Sequence, residues 1–496
     1  MGGFVVYDLI FLALFTLAVF IFLYTRKHNL KREGLLYLYR TKVGLKFIEW
    51  VSNKFPKTLY YLQYIVIFSG YTLMASMIYL LIKFSYFYLT SPVAAQALKV
   101  PVIIPLIPYL PELFKIDFLP PFFFTYWIII IAIIAVPHEF AHGIFARLNK
   151  IKIHSTGFGF LGPFLAAFVE QDEKQMEKAK KFPQLSILAA GTFANVIFTI
   201  IFGIILLIFF SSAFAPAGIN YMNIYPISQI NIADIKAIDG VPLTSQNQIL
   251  SLSDSDLIEI IANNENYFAN VSILKATILN NVNEVIVYED TPAFNTRLAG
   301  SLETGSAIAR IQGAITEFNN LKISSVEDLQ NQLNNHSPGD QVKIKTIQKS
   351  AKSQNSLSNL YLGEEKEFNL KLADKNGKAF IGLYLVPELR QNKGLISWLY
   401  SFVSRTKNPT IYYTSPLGGL GIFIYDLLWW IVITCISVAL VNMLPLGIFD
   451  GGRFFYLTIW GITGSKLIGA QAFKWSTRLL LLLVLVLTLK WVFIFI

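Results

Sequence analysis

The chain contains few cysteines, which stabilise many secreted proteins, and few charged residues, which are common in soluble ones. Cysteine occurs once, as Cys435, so no intrachain disulfide can form and any external domain must be stable without one. Charged residues make up 15% of the 496 residues, against about 25% in soluble domains. The net charge is +10, but the sequence shows no soluble basic domain with stacking aromatic residues. The absence of such a domain excludes nucleic acid as a partner.

Long apolar stretches dominate what is there. Hydrophobic residues make up 54% of the chain and the mean hydropathy is +0.53. The stretches long enough to span a bilayer are 4–24, 60–82, 122–148, 185–210, 418–444 and 473–496. A shorter, proline-rich stretch at 100–110 predicts a re-entrant or interfacial hairpin. We therefore predict a polytopic α-helical membrane protein with about six transmembrane helices, whose surroundings are the lipid bilayer.

Basic residues predict the orientation of these spans. The first span lacks a basic segment before it and is too long for a signal peptide, so we expect it to be retained. The loop after it contains Glu33 and Glu49 as its acidic residues. Its basic residues are Arg26, Lys27, Lys31, Arg32, Arg40, Lys42, Lys46, Lys54 and Lys57. This excess predicts a cytoplasmic loop, an N-terminus outside the cell membrane, and an extracytoplasmic segment at 211–407.

The third span contains a pattern typical of metal sites, His138-Glu139-Phe140-Ala141-His142. On a helix, positions i and i+4 share a face, so both imidazoles can bind one ion. Glu139 lies about 100° further round, close enough to act on a bound water without being a ligand. Ionisable side chains at membrane depth are costly and usually functional. We therefore predict a metal site on this helix.

A catalytic zinc site usually has three protein ligands and one open position. Asp450 is the strongest candidate for the third ligand, since it follows the fifth span, has apolar residues before it, and precedes Gly451 and Gly452. Glycines permit close backbone approach. The alternative is an Asp-Gly turn that caps a short helix.

Taken together, these segments resemble the site-2 protease family of intramembrane zinc metalloproteases. The resemblance rests on the His-Glu-x-x-His pattern at 138–142, on Asn442 and Pro445 before Asp450-Gly451, and on 190–195, which is similar to that family's Gly-Pro-x-x-Asn element. Thr192 stands where the family often has proline, and Phe449 where leucine commonly precedes Asp-Gly. Neither departure changes a ligand.

The resemblance implies a role for each candidate residue. His138, His142 and Asp450 would bind Zn²⁺, and Glu139 would act as general base on a zinc-bound water. Asn195 and Asn442 would position substrate or a transition-state oxygen; the alternative is ordinary hydrogen bonding between helices. By ligand type alone, cobalt or iron could also fill the site. The implied function is a metalloendopeptidase that performs intramembrane proteolysis on transmembrane protein substrates.

The segment 157–164 is rich in glycine and aromatic residues and is a poor helix former. It resembles the family's membrane-embedded strand or loop, whose edge could pair with an extended substrate. We therefore include Gly159 among the substrate-binding residues. The alternative is a simple interfacial re-entrant loop.

After Pro216 the sequence becomes polar, with short alternating strands. The order of a strand pair, a capped helix at 324–333 and a strand at 341–347 resembles a PDZ domain, and 230–245 suggests a second, less complete copy. PDZ domains bind extended peptides along a sheet edge. Because this insert separates the two halves of the site in sequence, we expect it to restrict substrates to those already cut by an upstream protease.

The predicted domains are therefore four. Residues 1–95 hold two transmembrane helices and the basic loop, 96–214 the first catalytic half, 215–395 the extracytoplasmic α+β PDZ-like region, and 396–496 the second catalytic half. Two other functions fit less well. A membrane metal transporter or sensor usually shows internal repeats, which this chain lacks. An inactive PDZ scaffold would have lost Glu139 or a ligand, and all are present.

Overall fold

The computed structural model describes residues 2–33, 36–90, 106–114, 119–161, 164–253, 257–280, 282–300, 310–349, 360–387 and 407–495. They form two compact units. One comprises Met1–Phe209 and Phe423–Ile496, and the other is Phe210–Ile422.

Within the described ranges, six helices are long and apolar enough to cross a bilayer. They are α1 (Gly2–Thr25), α3 (Pro56–Thr90), α5 (Phe124–Leu148), α7 (Lys181–Ala213), α12 (Gly418–Asn442) and α14 (Lys466–Phe495). Shorter helices of the first unit are α2 (Leu45–Lys54), α4 (Leu110–Leu113), α6 (Glu173–Lys178) and α13 (Asp450–Thr463). The chain is therefore a multi-pass membrane protein, as predicted.

Several spanning helices are longer than the apolar stretches that predict them. The second was predicted at 60–82, whereas α3 runs from Pro56 to Thr90, and the last was predicted from 473, whereas α14 begins at Lys466. A helix continues through its polar ends because its backbone groups still need partners near the apolar phase. The hairpin predicted at 100–110 lies mostly outside the described residues, which include α4 after it.

A four-stranded antiparallel sheet joins the N-terminal segment to the strands that follow α5. Its order is β1 (Leu30–Glu33), β2 (Leu36–Thr41), β3 (Ile153–Leu161) and β4 (Phe164–Gln171). The glycine-rich segment thus forms strands, one of its two predicted alternatives. Gly157 is needed there because a Cβ would lie 2.2 Å from the Tyr39 carbonyl oxygen. The basic loop, which predicted only orientation, supplies β1 and β2.

The order of this sheet changes the prediction made for Gly159. Its Cα pairs with Leu38 of β2 on one side and with Ala166 of β4 on the other. β3 therefore has no open edge, and the outer strands are β1 and β4. The expectation that an edge here pairs with substrate consequently applies to β4, not to the strand that contains Gly159.

Asp8, inside the apolar helix α1, caps the first turn of α5. Its carboxylate accepts hydrogen bonds from the backbone N–H groups of Phe124 at 2.7 Å and Thr125 at 2.9 Å. The hydroxyls of Thr125 and Tyr109 also donate to it. These contacts satisfy backbone donors that the helix leaves unpaired and place a negative charge at the positive end of its dipole. The first span is thereby attached to the helix that carries the His-Glu-x-x-His pattern.

The second unit contains two six-stranded sheets and a hairpin. The first sheet has the order β15-β14-β12-β5-β18 with β13 beside β12, and the second the order β6-β11-β10-β9-β7-β8. The strands are β5 (Ala215–Met222), β6 (Ile227–Asn231), β7 (Ile235–Ile238), β8 (Val241–Pro242), β9 (Leu257–Ala262), β10 (Glu265–Asn270), β11 (Glu284–Glu289), β12 (Ile311–Phe318), β13 (Leu321–Lys322), β14 (Gln341–Lys349), β15 (Gly363–Lys371), β16 (Ala373–Lys375), β17 (Lys378–Phe380) and β18 (Ile411–Thr414). The helices are α8 (Asn247–Leu250), α9 (Val271–Leu279), α10 (Pro292–Asn295) and α11 (Val326–Asn334).

Each sheet has its own apolar core. Ile230, Ile260 and Leu274 belong to the core of the second sheet, whereas Ile315 and Phe318 belong to that of the first. The capped helix predicted at 324–333 is α11, whose N-cap residue Ser325 forms a capping box with Asp328. Strand β12, helix α11 and strand β14 follow the predicted order. The PDZ-like identity of this unit stays a prediction.

Replacing Asp8 tests its attachment of α1 to α5. Asp8→Ala leaves two backbone donors of α5 without their partner, so we expect the free energy of unfolding to fall by about 1–3 kcal/mol. Thermal unfolding in detergent measures this. Thr16→Val is the matched control on the same helix, because the Thr16 hydroxyl donates to the Leu12 carbonyl of its own helix and to no other group in the part of the chain that the structure describes. Equal melting temperatures for Asp8→Ala and wild type would contradict the capping role.

Candidate metal centre

The two histidines of the pattern lie one turn apart on α5 and face the same way. Their Nε2 atoms are 3.1 Å apart and their rings are nearly perpendicular, with an interplanar angle of 77°. Both residues are buried, each 7% exposed. Two nitrogen atoms at this distance, both turned to one side of the helix, can bind the same ion.

Asp450 reaches these nitrogens from the other end of the chain. It begins α13, and its Oδ2 lies 3.5 Å from His138 Nε2 and 3.3 Å from His142 Nε2. Gly451 follows it, where a Cβ would lie 2.3 Å from the backbone carbon of Met443. Glycine is therefore needed for the first turn of α13 to pack against the chain that leads from α12.

The spacing of the three atoms fits a metal ion. A tetrahedral site with bonds of about 2.0–2.2 Å separates its ligand atoms by about 3.3–3.6 Å. The distances of 3.1, 3.3 and 3.5 Å among the two nitrogens and the oxygen lie close to that range. Two imidazoles and one carboxylate are a set typical of catalytic zinc, with a fourth position left open.

Gly191 leaves the space that such an ion needs. It lies on α7, and a Cβ added there would be 2.4 Å from His142 Nε2 and 2.5 Å from His138 Nε2. A methyl group would therefore compete with an ion for the volume in front of both nitrogens. The sequence placed Gly191 in a family-like segment without indicating this role.

The far nitrogens of both rings are held by α7. His142 Nδ1 lies 2.7 Å from the Ile187 carbonyl oxygen, so Nδ1–H donates and Nε2 keeps its lone pair for a metal. The side-chain amide nitrogen of Asn195 lies 3.1 Å from His138 Nδ1, and a half-turn of the amide exchanges its nitrogen and oxygen. For Nε2 of His138 to bind a metal, Nδ1 must likewise donate, so the amide must present its oxygen to the ring. We therefore expect Asn195 to position His138.

Glu139 is held beside the histidines by strand β4. Its Oε2 accepts a hydrogen bond from the backbone N–H of Val169 at 3.0 Å. Glu139 directly follows His138, about 100° further round the helix, so its carboxylate lies beside the group of His138, His142 and Asp450 without belonging to it. The sequence did not indicate Val169 as its partner, since strand pairing had to be known first.

The two other predicted substrate-binding residues, Asn442 and Gly159, form no hydrogen bond with His138, His142 or Asp450 within the described ranges. Asn442 ends α12 and is half-buried, and its side chain has no hydrogen-bond partner among the described residues. Gly159 lies in the inner strand β3, where a Cβ would be 3.3 Å from Leu38 Cδ2. These surroundings do not test whether Asn442 or Gly159 binds substrate, so both assignments stay predictions.

A His-Glu-x-x-His helix and an acidic third ligand, held among membrane-spanning helices, are the arrangement of a membrane metallopeptidase. Residues 126–487 match the family model of Peptidase family M50, which is the site-2 protease family. The match covers more than two thirds of the chain, and the chain belongs to this family. No curated protein matches the sequence. Helices α1, α2, α3 and α4 and strands β1 and β2 precede the matched residues.

An alanine at position 191 tests the space for the ion. We expect Gly191→Ala to lower bound zinc from about one equivalent to near zero, because the new methyl group fills the volume in front of both Nε2 atoms. Elemental analysis of the purified protein measures this. Gly203→Ala is the control on the same helix, since a Cβ there meets no atom within 4 Å. Full zinc content in Gly191→Ala would refute the steric argument.

Two replacements of Asn195 separate positioning from simple packing. Asn195→Ala removes the acceptor for His138 Nδ1–H, and we expect zinc affinity to fall by about 10–100-fold. Asn195→Asp keeps an oxygen acceptor and should retain most of the affinity. Competition with a chromophoric chelator gives both dissociation constants. If the alanine variant binds zinc like wild type, Asn195 does not position His138.

Proposed function

We propose that this chain is a zinc-dependent intramembrane metalloendopeptidase that hydrolyses peptide bonds in, or next to, transmembrane segments of membrane proteins. The observation that carries the proposal is the tetrahedral spacing of two imidazole nitrogens and one carboxylate oxygen, on helices that belong to a membrane-spanning bundle. Membership of Peptidase family M50 supports the reaction type.

His138, His142 and Asp450 would hold the ion. A bound zinc ion would supply Lewis-acid polarisation of the scissile carbonyl and would lower the pKa of a coordinated water. Glu139 then acts as general base, taking a proton from the attacking water, and afterwards as general acid, giving that proton to the leaving amine. The hydrogen bond from Val169 N–H leaves the second oxygen of the Glu139 carboxylate free for this transfer.

Substrate binding is the second requirement, because a helical peptide bond is hydrogen-bonded and shielded. Val169 N–H points away from β3, towards Glu139. In an antiparallel strand alternate residues point the same way, so the N–H and C=O groups of Leu165 and Ala167 also face the outer edge of β4. We infer that an unwound substrate segment pairs there by strand addition. Gly159, one strand further in, would keep the face of the sheet open beside it.

The same proposal includes orientation and access. The basic residues between the first two spans favour a cytoplasmic loop, with the N-terminus and the unit Phe210–Ile422 outside. We propose that this unit is PDZ-like and restricts access to substrates that another protease has already shortened. Its position in sequence between His142 and Asp450 motivates this role. Asn442 is retained as a candidate for holding the substrate backbone.

Replacing Glu139 tests the reaction. We expect Glu139→Gln to retain zinc, because no ligand changes, and to lower cleavage of a transmembrane substrate by about 10²–10⁴-fold, because the general base is lost. Cleavage is measured in proteoliposomes, with and without a chelator, and Glu177→Gln on the exposed surface is the control.

The outcomes distinguish the alternatives. Wild-type cleavage that stops with the chelator and with Glu139→Gln supports the peptidase. Cleavage by Glu139→Gln at the wild-type rate would exclude Glu139 as the base. Zinc bound at full occupancy, with no cleavage of any transmembrane substrate by wild type, would favour a metal sensor or an inactive scaffold.

A further inference from the structure

Helix α2 lies between the first two spans and has two different faces. Ile48 is fully buried and Ser52 is 5% exposed, whereas Phe47 and Trp50 on the opposite face are 49% and 51% exposed. Val43, just before the helix, is 75% exposed. A short helix with exposed aromatic residues that leads directly into the span α3 is suited to lie in the plane of the membrane interface.

Lysines surround this aromatic face. Lys42, Lys46, Lys54 and Lys57 are all exposed, and none of them forms an ion pair within the part of the chain that the structure describes. Lys54 Nζ lies 4.7 Å from the centre of the Trp50 ring. The nearby acidic residue Glu49 is already paired with Arg147 at 3.1 Å. Within the described ranges, therefore, no acidic side chain neutralises the positive charge of this surface.

The buried face of α2 contacts the helix that carries the metal ligands. A Cβ at Gly143 would lie 2.9 Å from Ile48 Cδ1. At the start of α2, Gly44 has a φ of +89°, and a Cβ there would lie 2.5 Å from Phe140 Cζ. Phe140 lies between Glu139 and His142 in sequence. A change in how α2 sits at the interface would therefore act directly on the turn of α5 that holds the reactive groups.

We propose that α2 together with Lys42, Lys46, Lys54 and Lys57, which we name the lysine–aromatic surface, binds anionic lipid headgroups and thereby holds the catalytic turn of α5 in place. The aromatic side chains insert below the headgroups while the lysines contact their phosphates. Each lysine near an anionic surface strengthens binding by about fivefold. The effect on catalysis rests on the function proposed above, but lipid binding does not.

A bilayer lipid fits this surface better than a free phosphate. Free phosphate would use the lysines but would leave Val43, Phe47 and Trp50 exposed to water. A lipid satisfies both features at once, since its phosphate meets the ammonium groups and its acyl region meets the rings. The spans on either side keep the surface at that depth.

Lipid retention tests the binding without reference to activity. The full-length protein is placed in nanodiscs of phosphatidylcholine mixed with phosphatidylglycerol, whose negative charge attracts basic residues at the surface, and retained lipid is measured by native mass spectrometry. We expect Lys42, Lys46, Lys54 and Lys57 changed together to Gln to lower retained phosphatidylglycerol at least tenfold. The control variant changes four exposed lysines of the unit Phe210–Ile422 to Gln and should retain phosphatidylglycerol like wild type. They are Lys322, Lys366, Lys371 and Lys378. Two double variants, K42Q/K46Q and K54Q/K57Q, give intermediate losses if the fourfold variant does not fold.

Cleavage rates then test the coupling to the site. Wild type should cleave several-fold faster with phosphatidylglycerol than with phosphatidylcholine alone, and the fourfold variant should lose this difference. Phe140→Leu should keep lipid retention but reduce the rate difference. Equal retention by the variant and wild type overturns the inference, as does activation by inorganic phosphate in phosphatidylcholine discs. No cleavage in any lipid refutes the proposed function instead, and the retention measurement still decides lipid binding.

Discussion

The structure depends on bringing three polar atoms together in an apolar bundle, from segments about three hundred residues apart in sequence. Polar side chains at this depth are costly unless they have partners. His142 is fastened to the Ile187 carbonyl, His138 to Asn195, and Asp450 faces both nitrogens. Glycines make this possible, because Gly451 lets α13 pack against the Met443 backbone and Gly191 keeps α7 clear of the nitrogens. The helices are thus arranged around the space that an ion would fill.

The N-terminal segment supports this arrangement although it precedes the residues matched to Peptidase family M50. Asp8 caps α5 from inside the first span, and β2 pairs with β3 over Tyr37–Thr41. Arg40 of β2 is ion-paired at 2.7 Å with Glu170 of β4, which ties the inner and outer strands together. The four-stranded sheet that positions Val169 against Glu139 is therefore built both from residues matched to the family and from the segment that precedes them.

The sequence indicates local features better than distant pairings. The i, i+4 spacing of His138 and His142 predicts their shared face from helix geometry alone. Asp450 became a candidate through its place after the fifth span and before two glycines, but nothing local joins it to that face, and its role as third ligand was implied by the family resemblance. That Gly159 lies in an inner strand could not be seen from the sequence, since the strands of the basic loop had to be recognised first. Asp8 was missed, although an ionisable residue inside an apolar span is itself a signal. The roles of Gly191 and Val169 require three-dimensional contacts.

The central claim is that one ion is bound by both halves of the chain. An anomalous-diffraction map at the zinc edge, from crystals of the full-length protein, tests it most directly. The account predicts one peak at about 2.0–2.2 Å from His138 Nε2, His142 Nε2 and an Asp450 carboxylate oxygen. A peak bound to other residues, or an Asp450 carboxylate turned away from the two imidazoles with no other acid in its place, would contradict it.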